Sequence, residues 1–506
     1  MTSFLSKLCG AWFTRAFDSN SVNPKTLSGS GFAELEVFIL MDAHKKVTPS
    51  VIWSIVGTAG VACSGVLVET SMNVTFPTLM KVFNQSLNNV QWITTAYLLA
   101  VTLTIVLAAY LQRSFKFKSL IIAAGTASVI GGVICMVSTT LPIMLLGRII
   151  QGIGTGIAMP LLFSIIMLEV PRAKQGSFVG TAGMIIALAP SLGPTYGGIC
   201  LSALNWRFNF IFTLPVTIVF CIIAACFMSD NEAHRDHFNF SEYLLIVLAL
   251  IALTLAVNNL SSGLANPLVW GGLLVTAAAL FSFFKLAKQE GKAHIINIGV
   301  LKNTSFNLGL LIYTFLQFIQ ISLTFVIPNL AQLGLKTSAL TSGMLLLLGS
   351  LLSAFFGPVM GRLLDSQGFK KLFLIGSCLA MAGILLYIIF AQKLSIALIV
   401  IFHVMFMTGF SMMYNNSMTI GLQQLEVMHI ADGNALFNML QQYSGSIGTA
   451  AMSVIIAIAG SPYQGQSKQV VMGSQAAFIV LFVFTLLIFA CVLSLIKRDK
   501  QGLVKN

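Results

Sequence analysis

Val68-Glu69-Thr70-Ser71-Met72-Asn73-Val74-Thr75-Phe76-Pro77, residues 68–77, closes a long run of apolar and small residues that opens near Val51. A carboxylate set inside such a run decides what the fold can be. A helix of about 20 apolar residues spans the ~30 Å hydrocarbon core of a bilayer. A charge near its centre costs roughly 2.5–3.5 kcal/mol on insertion scales. An acid survives there when it pairs, faces water inside a bundle, or takes up an ion. Glu69 is therefore read as a working group in a membrane helix.

Similar runs recur along most of the 506 residues, near 51–77, 91–111, 117–138, 142–168, 176–200, 207–228, 242–262, 267–287, 306–330, 339–364, 370–391, 395–422, 434–460 and 475–496. The chain is 57% hydrophobic and 8% charged, where a soluble domain carries roughly 25% charge. The expectation is an all-α polytopic membrane protein with fourteen transmembrane helices. Residues 1–50 read as a cytoplasmic leader, rich in Ser, Asn and Lys, with an aromatic stretch at Trp12, Phe13 and Phe17. They lack the long apolar region and cleavage site of a signal peptide, and Met41 is an alternative start. A six-helix unit follows at 51–230, then linkers with two inserted helices at 231–302, a second six-helix unit at 303–497 and a tail at 498–506.

The net charge of +13 marks topology rather than a nucleic-acid surface. With both ends cytoplasmic, 22 of the 28 Lys and Arg fall in inside segments, and Lys81, Arg207, Lys336, Lys393 and Lys468 fall outside. That bias is the positive-inside rule. Arg148 is the one guanidinium left inside a span. The cysteines lie mostly in spans with no Cys-x-x-Cys, so neither disulfides nor zinc are expected. His234, Arg235, Asp236 and His237 read as a solvated linker rather than a metal cluster. No phosphate-cradling Gly-x4-Gly-Lys-Ser/Thr occurs, and no paired acids or nucleophile–base set lies in the spans. An enzyme and an ATP-driven pump are both disfavoured.

Glu69 lies eight residues from the expected outer end of its span, and Arg148 six residues from the outer end of the fourth. At 1.5 Å per residue those depths are ~12 and ~9 Å, so the two charges can share one aqueous cavity. An acid beside a cation holds its proton weakly and a desolvated acid holds it tightly. A change in their separation or hydration would load and unload a proton; a static ion pair is the competing reading. The fifth span ends Ala189-Pro190-Ser191-Leu192-Gly193-Pro194-Thr195-Tyr196-Gly197-Gly198. Pro194 kinks it, and Gly193 with Gly197 offers a small-xxx-small packing face. The turn from Gly361 to Lys371, GRLLDSQGFKK, echoes that from Ala108 to Lys118, AAYLQRSFKFK, a weak repeat that suits two bundles rocking around a midplane site.

These strings together resemble a known family. Glu69-Thr70…Asn73…Pro77, Gln91-Trp92…Ala96-Tyr97-Leu98-Leu99-Ala100, Arg148…Gln151-Gly152…Gly154, Gly193-Pro194…Gly197-Gly198, Gly361…Asp365…Gly368…Lys370-Lys371 and Asn434-Ala435…Asn438…Gln441-Gln442…Gly448 are similar to motifs of the fourteen-span drug:proton antiporters of the major facilitator superfamily, the EmrB/QacA-like subfamily. The resemblance covers about 51–497. It implies the major facilitator fold, two six-helix bundles plus two inserted helices. It implies Glu69 as the proton-binding acid with Arg148 as relay partner, and Gly193, Pro194, Gly197 and Gly198 as the bend that sets exchange. Asp365 with Arg362 and Lys370 would latch the inward-closed state, beside Gly361 and Gly368. Two departures matter: Glu69 stands where the family usually has Asp, and Gln112 replaces the Asp of the first cytoplasmic turn, leaving Arg113 and its basic neighbours.

Neutral polar residues in spans are the candidate substrate contacts: Asn73, Gln151, Gln317, Gln320, His403, Asn415, Asn416 and Gln441. Phe and Met around them suit varied apolar ligands. The expected function is proton-coupled export of amphipathic, neutral or monocationic compounds through the cell membrane of a bacterium, by a monomer without a cofactor and with the proton gradient as energy source. Export of one specific metabolite is the alternative; a transport-inactive sensor is a further one.

Overall fold

The structure is a computed structural model and describes residues 47–229, 238–263, 265–287, 298–426 and 429–502. The leader reading, the alternative start and the His234–His237 segment lie outside these residues. Everything described is helix and short connection, and the chain crosses a membrane many times. Among the described residues, thirteen helices are long and apolar enough to span a bilayer, and a fourteenth span is completed when the bent pair Thr181–Pro190 and Leu192–Ala203 is counted as one.

The first half is α1 (Pro49–Phe83), α2 (Trp92–Ser114), α3 (Phe117–Val137), α4 (Leu141–Glu169), α5 (Arg172–Ala203) and α6 (Phe208–Phe227). Two inserted helices follow, α7 (Phe240–Asn259) and α8 (Pro267–Leu286). The second half is α9 (Thr304–Asn329), α10 (Ala339–Met344 continued by Leu347–Gln367), α11 (Phe369–Phe390), α12 (Ile396–Gln423), α13 (Ile430–Gly460) and α14 (Gln466–Lys500). Fourteen crossings bring the chain back to the side on which it started. We call that end proximal and the opposite end distal.

Local chemistry fixes the helix ends. Thr48 caps α1 by accepting from the Val51 amide, with Pro49 in the first turn, and Asn84 closes it in the left-handed region at φ 50°. Asn266, Asn303, Ser338 and Ser395 cap later starts in the same way. Inside the spans, hydroxyls bond back to carbonyls one turn earlier, as Thr58 to Ser54 O and Thr104 to Ala100 O. In lipid such groups have no water to turn to.

Two helices outrun their apolar cores. α1 continues past Pro77 to Phe83, six residues beyond the expected end, because Phe83 packs edge-on against Trp206 at 6.0 Å. α14 starts at Gln466 rather than near 475, and its polar first turns dock on the π-turn Leu330–Gly334, where Ser467 Oγ donates to Gly334 O at 2.6 Å. Hydropathy reports neither extension clearly, since Thr78 and Lys81 in the first and Gln466, Ser467, Lys468 and Gln469 in the second interrupt the apolar residues.

The halves meet at the distal end. There Val68, Met72, Phe76 and Ile93 of the first half share one apolar core with Ile319, Leu323, Phe325 and Val326 of the second. Polar bonds join in: Asn73 Nδ2 donates to Thr324 Oγ1 (3.4 Å), Gln332 Nε2 to Val74 O (2.8 Å), Ser446 Oγ to Thr95 O (3.1 Å) and Ser453 Oγ to Asn88 Oδ1 (3.3 Å). The proximal core of the first half, from Val51 to Met228, is a separate cluster. The bundle is closed distally.

Candidate functional site

Glu69 lies in the middle of α1, one turn before Asn73, and is 4% exposed. Among the described residues no hydrogen bond or ion pair reaches its carboxylate. Arg148 on α4 is within electrostatic reach of it and is fully buried. The guanidinium is held elsewhere: Nε donates to Ile93 O (3.2 Å), one terminal nitrogen to Gln151 Oε1 (2.8 Å), and Cζ sits 4.1 Å from the centre of the Tyr97 ring. Its other terminal nitrogen has no hydrogen-bond partner. A desolvated cation over an aromatic face gains about 2 kcal/mol or more. The two charges are neighbours without being a bonded pair.

Tyr97 is fixed in turn. Its hydroxyl donates to Thr155 Oγ1 at 2.8 Å. Gly65, one turn below Glu69, faces that pair, and a Cβ there would overlap Thr155. Counting from helix ends puts Glu69 fourteen residues, or ~21 Å, from the distal end of the lengthened α1, deeper than the ~12 Å expected. The two charges remain within electrostatic reach, because the added length of α1 lies at its distal end, where Phe83 packs on Trp206.

The second half contributes amides. α1 and α9 run in the same direction and are bonded at Asn73–Thr324. One turn back on both, Gln320 is level with Glu69, and Gln317 is one turn deeper. Both are buried, at 7% and 9% exposure, and neither makes a hydrogen bond within the described protein. Gln441 on α13 is half-buried one turn before Gly445, which packs on Leu98 and Ile321. Gln442 beside it reaches Met159 Sδ at 3.5 Å across the halves. Asn73 and Gln151 also belong here, although their amides are committed to Thr94, Thr324 and Arg148.

Other expected contacts stay apart. His403 is buried against Gly349, between α12 and α10. Asn416 bridges helices, donating to Met412 O and Met360 O. Asn415 is exposed beside it. His403 and Asn416 pack between α12 and α10 within the second half. At the proximal turn Gly368 adopts φ 72° between α10 and α11, beyond Gly361. Lys370 pairs with Asp499 of α14, so this lysine ties two helices of the same half, where the resemblance implied a partnership with Asp365. The side chains of Arg362 and Asp365 lie outside the described ones, and Arg113 is exposed at the end of α2.

α5 bends by 40° between Thr181–Pro190 and Leu192–Ala203. Pro194 has no N–H for the carbonyl of Pro190 and its ring crowds that carbonyl. Past the bend, Gly193 and Gly197 lie on Thr70 and Ser71 of α1, where a Cβ would overlap both. On the other face Gly198 meets Ala339 O, and Gly343 of α10 meets Pro194 O. The bend thus seats α5 between Glu69's helix and the second half.

A buried polar chain that sequence reasoning missed lies on the opposite side. Gln91 Nε2 donates to Asn258 Oδ1 of α7 at 2.6 Å, Thr95 Oγ1 donates to Gln91 Oε1, and Thr95 Oγ1 lies 3.1 Å from Thr449 Oγ1. Tyr443 OH of α13 donates to Leu250 O at 2.9 Å. The signal was there: Gln91 and Asn258 are amides in apolar surroundings. Tyr97 was visible only as part of a motif.

Helix order, the bent fifth helix and the buried charges fit one sequence profile, that of the Major Facilitator Superfamily, which matches residues 58–449. The chain belongs to the Major Facilitator Superfamily. It is a membrane transporter and not an enzyme. Within the superfamily it is 31% identical over 436 residues to the lincomycin resistance protein LmrB of Listeria monocytogenes, covering 85% of this chain and 92% of that one. It is 29% identical over 408 residues to LmrB of Bacillus subtilis, covering 80% and 85%. A crystal structure of the peptide transporter POT in complex with sulfate superposes at a TM-score of 0.68, with 12% identity over 91% of this chain and 98% of that one. That likeness shows the shared fold.

Proposed function

We propose that this transporter exports amphipathic, neutral or monocationic compounds in exchange for protons, with Glu69 as the group that carries the proton. The observation behind this reading is the buried Glu69 carboxylate, unbonded to protein yet in electrostatic reach of Arg148. A carboxylate committed to an ion pair gives up its proton once and for all. One held apart from its cation responds to hydration and to a bound ligand. The names of the relatives, lincomycin and multidrug resistance among them, support drugs as the class of cargo.

The positive-inside bias supports a cytoplasmic proximal end, and on that orientation we read the distally closed bundle as inward-facing. Substrate enters from the cytoplasm and meets Gln317, Gln320 and Gln441 across from Glu69. Rocking about the seam then opens the distal end, and a proton arriving from outside displaces the cargo. One chain supplies both halves, so a monomer in the bacterial cell membrane suffices.

The test uses inverted vesicles with a respiration-acidified lumen and a fluorescent pH probe. Ethidium should relax the quench in the parent, and Glu69→Gln should abolish the effect. Equal relaxation in both would remove Glu69 from the coupling. No relaxation with ethidium, Hoechst or lincomycin would overturn broad export in favour of a single specific cargo.

A further inference from the structure

The ring of Tyr97 is the part of this site whose role nothing above has used. It lies under the Arg148 guanidinium at 4.1 Å, is itself fully buried, and is pinned by its hydroxyl to Thr155 at 2.8 Å. α2 brings it between α4, which carries Arg148, and α1, which carries Glu69. Ile93 O, one turn earlier on the same helix, takes Nε of the guanidinium. Arg148 is therefore bound to α2 by two contacts and to its own helix by Gln151, while one terminal nitrogen stays without a partner. A buried guanidinium with an unmet donor is drawn to any carboxylate in reach, and Glu69 is the one in reach.

We propose that Tyr97 is a positioning residue that holds Arg148 off Glu69, keeping the carboxyl available for proton exchange. This rests on the reading of Glu69 as the coupling acid. The face of the ring occupies the guanidinium, and its full burial between α1 and α4 holds it there. Without the ring, Arg148 would close on Glu69 and fix it as a carboxylate. Among the described residues, Arg148 is the one charge acting on Glu69 from the packed helices; Tyr97 and Cys135 are the further titratable groups around the guanidinium.

Infrared difference spectroscopy on the full chain in liposomes reads the carboxyl directly. The protonated C=O band that disappears in Glu69→Gln belongs to Glu69. At the pH where the parent is half protonated, Tyr97→Leu should weaken that band by about tenfold, as expected when a cation closes on an acid. Tyr97→Phe, which keeps the ring, should stay within about twofold of the parent. Both variants should keep the parent's far-ultraviolet circular dichroism and melting profile, which reports a folded protein. An unchanged band in Tyr97→Leu would overturn the proposal even if Glu69→Gln uncouples transport. An equal loss in Tyr97→Phe would also overturn it, moving the role from the ring to the hydroxyl. If the band behaves as expected but Glu69→Gln vesicles still exchange protons for ethidium, the positioning role stands and the coupling reading falls.

Discussion

The two seams between the halves are closed by different means. Where α2 meets α13, side chains do the work: Thr95, Ser446 and Thr449 bond to one another, and Gln91 carries the chain on to Asn258 of the inserted α7. Where α5 meets α10, backbones touch. Gly198 lies on Ala339 O, Gly343 lies on Pro194 O, and Thr195 Oγ1 donates to Gly343 O at 3.3 Å. The first seam is a set of directional bonds, each individually removable. The second depends on the absence of atoms. A methyl group harms the second seam more than the loss of a hydroxyl harms the first.

Gly343→Val should break the comparison most severely. Overpacking costs about 1–3 kcal/mol, enough to shift the ratio of distally closed to open protein by about tenfold or more. Spin labels at Gln85 and Lys336, both exposed at the distal end, should then report longer separations, and ethidium export should fall by a similar factor. Labels at the parental distance would refute the role of this contact.

Gln91→Leu comes next, since it removes two buried hydrogen bonds at once, the one to Asn258 Oδ1 and the one from Thr95 Oγ1. Each is worth about 0.5–1.5 kcal/mol net. Pairing it with Asn258→Leu removes both partners, so the double variant should open less than the two single effects added together. Additive opening would show that the amides act separately. Thr449→Val should have a smaller effect, about 1 kcal/mol, visible as a modest lengthening between the same labels. Asp499→Asn lies outside both seams and serves as the control. Asp499 is 4% exposed and its partner Lys370 half-exposed; an Asn there still accepts from the lysine, and the contact stays within one half, so the label distance should be unchanged.

These seams also mark how far the sequence could be read. Apolar length located the spans among the described residues, and the motifs singled out Glu69, Arg148 and the Pro194 bend. All three lie in spans where a charge or a proline stands out against its neighbours. The Gln91–Asn258 bond joins residues 167 positions apart, and no local pattern announces such a partner. The register that sets Gln320 opposite Glu69 comes from Asn73 meeting Thr324, again a tertiary fact. The placement of His403 against Gly349 and of Asn416 on Met360 O is likewise tertiary. A polar residue in a span looks alike whether it faces a cavity or ties its own bundle together, as Asn416 does through Met360 O.

The inserted hairpin has a consequence for traffic through the bilayer plane. α7 and α8 cover the α2–α13 seam from outside, with Val106, Ile246, Leu250, Phe283 and Tyr443 buried together beneath them. Their outer faces, Trp270, Leu274 and Phe281 among them, stay exposed to lipid. The α5–α10 seam has no such cover among the described residues, and Leu192, Ile199, Leu348 and Phe355 are exposed along it. A bundle with twofold internal repetition thereby acquires a front and a back. A hydrophobic molecule dissolved in the membrane finds one shuttered window and one bare one.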